Sequence, residues 1–206
     1  MTIIFPALLL VAGIAIFGSI MREGIWSNAI TLVNVITAAL IATNVWEPLA
    51  NLLEERAPSF TFMWDMAMIW VVFAVVLLIL KLSTDNVSKV KVRFKKPVEL
   101  FGGWFFAGCV AWVAICFTAM TLHTAPLSRE FLFKGFRAED RMMFGLAPDR
   151  LWLGFAQRMS LGPLSRQATA NDPEAHVFDR YGEFMVKHAS RRERYGAKAG
   201  LFIEDD

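Results

Sequence analysis

Residues 100–122 read LFGGWFFAGCVAWVAICFTAMTL, a run without one charged side chain. A bilayer core of about 30 Å needs about 20 residues of helix to cross it. No water is present there to satisfy backbone groups, so a spanning segment has to be an α-helix. Three further apolar stretches have comparable length: 3–20, 25–46 and 62–82. Together they predict an all-α polytopic membrane protein with four transmembrane helices in residues 1–122. A mostly polar C-terminal tail, 123–206, follows.

Charge placement supports that division. Only 7 of the 19 acidic and 8 of the 21 basic residues precede His123. The whole chain is 56% hydrophobic and 19% charged, more apolar than an average soluble domain. A net charge of +2 split between both parts excludes the unopposed basic footprint of a nucleic-acid binder. The first stretch has no basic residue ahead of it and no clear A-x-A site, which favours a retained span over a cleaved signal.

Orientation follows from lysine and arginine in the short loops. The third loop carries Lys89, Lys91, Arg93, Lys95 and Lys96, whereas residues 47–61 hold Arg56 alone. The third loop is therefore expected in the cytoplasm and the tail outside it. The same five residues form a polybasic patch suited to anionic lipid, at about 1 kcal/mol each near such a surface.

In the tail, Pro148, Asp149 and Arg150 resemble a helix start, and Leu151, Trp152, Phe155 and Met159 recur at helical spacing. This predicts a short amphipathic helix over about 149–160, with the tryptophan favouring a place at the membrane interface. A second polar helix is expected within 183–196, carrying Arg191, Arg192 and Arg194.

Inside the bilayer, association rests on close backbone approach. The fourth span supplies a small-residue stripe: Gly103, Ala107 and Ala111 at four-residue spacing, with Gly102 and Gly108 beside it. It suits either another subunit or the second span, where Ala38 and Ala42 offer a matching stripe, and the internal contact is expected. Asn28, Asn34 and Asn44 serve as hydrogen-bonding glue between helices, or line a polar path. Asp65 and Lys81 lie near span ends, where a helix dipole or the headgroups accommodate them. Cys109 and Cys116 stand seven positions apart on one helix, too far for a disulfide, and read as packing residues. No HExxH, GxSxG or Walker-type loop occurs, so neither catalysis, cofactor nor metal is expected.

The order of these features resembles a known family. An early span runs into Met21, Arg22, Glu23 and Gly24; a second span, an outer loop and a third span follow; a polar loop then leads to a Gly-rich fourth span, Leu100 to Gly108. This is similar to the colicin V production protein (CvpA) family of bacterial inner-membrane proteins, over about residues 3–122. The resemblance implies a small multi-spanning protein needed for production or secretion of a toxin, without an established catalytic site. Two functions are therefore expected in competition. One is an envelope-assembly component that works through helix contacts with other membrane proteins or with itself. The other is a small channel or transporter with a polar path through the second span.

Overall fold

The computed structural model describes residues 4–56, 61–88, 94–125, 141–162 and 177–198. Among these, every regular element is helical: α1 (Ile4–Ile20), α2 (Ile25–Arg56), α3 (Thr61–Val87), α4 (Lys96–Leu122), a single 3-10 turn (Met143–Gly145), α5 (Pro148–Leu161) and α6 (Phe184–Lys198).

Three of these helices are long and apolar enough to cross a membrane: α2, α3 from Met63, and α4. The first apolar stretch forms α1, a helix of 17 residues, whose rise of about 1.5 Å per residue gives a length somewhat short of a full bilayer core. The expected second span ends at Trp46, yet α2 continues for ten residues through Pro48 to Arg56. Apolar periodicity ends with the span, but the helix is carried on by packing: Trp46 at the junction and Ala50 on the extension are 4% and 1% exposed. Pro97 sits in the first turn of α4, where its missing N–H costs nothing, and sets the helix start four residues ahead of the apolar run.

The long helices stand in the spatial order α1, α4, α2, α3, with α5 packed on α4. Close approach explains the central pair. Gly103 of α4 lies against the backbone of Gly24 and Ile25, so that a Cβ there would stand 3.5 Å from the Gly24 carbonyl carbon. Gly13 of α1 meets the side chain of Ile115 in the same manner. Gly24 itself has φ +87°, and any side chain there would strike the Glu99 carboxylate.

Helix polarity is spent on the same joints. Asn28 donates from Nδ2 to the Gly103 carbonyl at 2.9 Å, and Asn34 donates to the Thr84 hydroxyl at 2.9 Å. Two of the three asparagines therefore bond across helices, and Asn44 bonds the carbonyl of Leu40 on its own helix. In contrast, α3 presents Val71, Val75, Leu78, Ile79 and Leu82 outward, each at least half exposed.

Candidate functional site

The chemistry collects at one end of the bundle, where the C-terminal half of α2, the start of α3 and the end of α4 meet the tail. The tail reaches this place through a turn in which Met143, Phe144 and Ala147 take left-handed φ values of 53°, 57° and 46°. Non-glycine residues adopt that region at a cost of order 1–3 kcal/mol each, so surrounding contacts must hold the turn. Met142 and Met143 supply them by packing on Phe5, Leu9, Ile115 and Ala119 of α1 and α4.

The turn delivers α5 onto the bundle. Its Asp149 lies in the first helical turn and meets His123, the residue after α4, at 2.9 Å between Oδ2 and Nε2. Both side chains are sealed from solvent, at 1% and 0% exposure. A carboxylate at that position is also favoured by the helix dipole. One turn later Trp152 donates its indole N–H to the Thr43 hydroxyl of α2 at 3.0 Å. Thr43 passes its own proton to the carbonyl of Ala39 at 2.7 Å, which leaves its oxygen free to accept. The Trp152 ring meets Phe117 edge-on, at a centroid distance of 5.6 Å.

The second tail helix closes the site from the other side. Asp179 caps α6 by accepting the N–H of Phe184 at 2.9 Å, and burial pushes its carboxyl above the ordinary range. Along α6, three basic residues face the acidic ends of α2 and α3. Arg191 bridges Asp65 at 2.7 Å and Glu54 at 3.0 Å. Lys187 meets Glu47 at 2.7 Å, with both side chains more than half exposed, a pair worth little by itself. Between them His188, 3% exposed, packs on Phe184 and Trp46. Its Nδ1–H donates to the Phe184 carbonyl at 2.7 Å. Its Nε2 has no hydrogen-bond partner and stands 4.0 Å from Asp65. Burial pushes His188 down to about 4, so the ring is neutral at pH 7.

Beside this cluster a cavity of about 600 Å³ opens between α2 and the tail, with Thr43, Asn44 and Glu47 on one wall and Asp179, Tyr181 and Lys187 on the other. Among the described residues no group of three His, Cys, Asp or Glu side chains is placed to hold a metal ion.

The residues singled out in the sequence fall into three outcomes. The small-residue stripe is spent inside the chain: Gly103, Ala107 and Ala111 are buried, and Gly102 abuts Ile25. Gly108 lies off that contact, with nothing within 4 Å of where its Cβ would be. Of the polybasic patch, Lys95 and Lys96 are exposed, while Lys89, Lys91 and Arg93 lie outside the described residues.

A helix forms over these residues as α5, but the face expected at the interface is divided. Trp152 is 3% exposed and Met159 packs on the same core, so the tryptophan anchors the helix to protein, not to headgroups. Leu151 and Phe155 remain outward at 51% and 38%. The physical reason is the Thr43 hydroxyl, which offers the indole N–H a buried acceptor. That acceptor sits on another helix and leaves no trace in the periodicity of residues 149–160.

Sequence reasoning also missed His123, Asp149, His188 and the Asp65–Arg191 pair. The available signal was charge placement, with an acidic residue one turn inside a span and an arginine run in the tail that could neutralise it. Comparison of the chain with protein-family models, with curated proteins and with solved structures finds no match to any of them.

Proposed function

We propose that this chain is a four-span integral membrane protein of the bacterial inner membrane, of the colicin V production type. It acts by holding other membrane or envelope proteins, with an implied part in toxin production or secretion. On this reading α1 is the fourth span, the loop at 88–96 is cytoplasmic, and the tail forms an extracytoplasmic cap. Support for α1 comes from Leu8, Val11 and Ile14, each more than half exposed on a helix without a charged residue. Such a surface belongs in hydrocarbon.

The observation that carries the assembly reading over a channel is the Asn34–Thr84 bond. Of the polar groups that would line a path through α2, Asn28 and Asn34 are consumed between helices, and Asn34 is 5% exposed. Its amide is then glue, and the cap with its cavity offers a polar surface for recognition.

Two measurements test this. Single cysteines near Lys91 and near Asn51, in a background lacking Cys109 and Cys116, should label from opposite faces of intact membranes. Labelling of both from one face would defeat the four-span topology. Purified protein in sealed vesicles should pass K⁺ and small solutes no faster than protein-free vesicles. A flux abolished by Asn34→Leu would overturn the assembly reading in favour of a channel.

A further inference from the structure

At the end of the bundle opposite the cap, one carboxylate and one indole tie three helix ends together. Glu99, in the first turn of α4, accepts the N–H of Ile25 at 3.2 Å and the N–H of Phe94 at 3.0 Å. Trp26 donates its indole N–H to Ser88 at 2.8 Å, which joins the start of α2 to the end of α3. These bonds fix the first loop beside the start of α4. Between them lies a cavity of about 600 Å³, open to the outside, bounded by Arg22, Phe94, Lys96, Glu99, Leu100 and Trp104.

Three properties of this cavity point to one kind of occupant. First, both Glu99 oxygens are committed to backbone N–H groups, whereas Arg22 and Lys96 are exposed and have no carboxylate partner among the described residues. The site therefore keeps a net positive charge, drawn from two loops distant in sequence. Second, its floor is apolar and itself uncovered: Leu100 is 49% exposed and Trp104 44%, and the neighbouring Phe101 is 68% exposed. Third, this floor runs directly into the charge-free part of a helix long enough to cross a membrane. A fork-shaped guanidinium and an ammonium above an aromatic wall suit a phosphate that continues into an acyl chain.

We propose that this cavity is a binding site for the headgroup of an anionic phospholipid. Arg22 and Lys96 hold the phosphate, and Trp104 and Leu100 receive the first part of a chain. The lipid bridges the first and third loops and so completes the tie that Glu99 begins. The proposal rests on the membrane reading above and is independent of the assembly role.

The test uses the full chain, purified in mild detergent and exposed to phosphatidylglycerol, phosphatidylcholine or inorganic phosphate, with bound lipid counted by native mass spectrometry. One phosphatidylglycerol should remain bound in preference to phosphatidylcholine, and millimolar phosphate should not displace it. Arg22→Gln with Lys96→Gln should reduce retention about 30-fold, from about fivefold for each charge removed near an anionic group. Arg22→Lys with Lys96→Arg should restore most of it and guards against a folding defect in the neutral variant. Arg56→Gln with Arg158→Gln removes equal charge from exposed positions at the opposite end of the bundle and should leave the bound lipid in place.

Equal losses in the two neutral doubles would overturn a built site in favour of diffuse charge. Binding of phosphate with no preference between the lipids would overturn the lipid assignment. A chain that resists carbonate extraction from membranes but retains both lipids equally would defeat this proposal alone, whereas a chain released by carbonate would defeat the membrane reading beneath it.

Discussion

Replacement of Trp152 by alanine should release α5 from the bundle. The side chain is 3% exposed, meets Phe117 edge-on and bonds Thr43 through its indole. Truncation of a buried tryptophan to alanine costs about 3–5 kcal/mol, which corresponds to roughly two to three and a half orders of magnitude in a local opening equilibrium. Hydrogen exchange of the α5 amides measures that opening directly. Protection across residues 152–158 should fall by that factor, limited only by the total free energy that docks the helix, while the amides of the middle of α3 keep theirs. Trp152→Phe keeps most of the packing and loses the indole bond, at about 1 kcal/mol, or about fivefold in exchange. Combined with Thr43→Val it should show non-additivity of similar size, because either change alone abolishes the same bond. If Trp152→Ala leaves α5 exchange unchanged and the Thr43 cycle is additive, then the tryptophan faces lipid after all.

Three further outcomes follow from the same geometry. Gly103→Ala should be tolerated, because its Cβ would meet Gly24 and Ile25 at 3.5–3.6 Å, an ordinary contact, whereas Gly103→Leu should lower abundance and protease resistance by separating α4 from α2; Phe105→Leu, at a position 65% exposed, is the matched control. Asp65→Ala should weaken α6 docking by about 2–4 kcal/mol by taking one carboxylate from a half-buried Arg191, and Arg191→Met in the same chain should recover part of it, as read from exchange of α6 amides. Docking of α6 should also weaken on acidification. His188 titrates near 4 when docked against 6.5 in the open chain, so its contribution is complete above about pH 6.5 and declines toward pH 4, by up to roughly 3 kcal/mol. Asp179, raised by burial, works in the opposite sense at the acidic end. His188→Phe should flatten the decline between pH 6.5 and 4, and an unaltered slope in that variant would refute the assignment.

Legibility in the sequence followed the range of the interaction. The apolar runs announce their helices because each residue's preference for hydrocarbon is local, and the small-residue stripe of α4 is visible for the same reason. Asn28 and Asn34 were legible as interhelical glue in kind, though their acceptors, Gly103 and Thr84, were not, since they lie on other helices. Trp152 shows the limit more sharply. Its position on α5 was correct, but its direction was set by a hydroxyl 109 residues away. The cap was the least legible part, because Asp65 reads as an ordinary span-end charge, and Glu47 and Glu54 as residues of the segment between spans, until α6 is placed over them. Lys187 and Arg191 likewise look like a solvated face when the helix is considered by itself.

The Asp65–Arg191 bridge joins residues 126 positions apart, and that interval is also a delay. At a synthesis rate of about 5–20 residues per second, Arg191 is made roughly 6–25 s after its carboxylate partner. By the end of that time α2, α3 and α4 have all been made, and Asp65 has stood without its cation throughout. The joint between α6 and the acidic ends of α2 and α3 therefore closes long after those ends are made. Any truncation ahead of Arg191 would leave Glu54 and Asp65 at the ends of α2 and α3 without that cation.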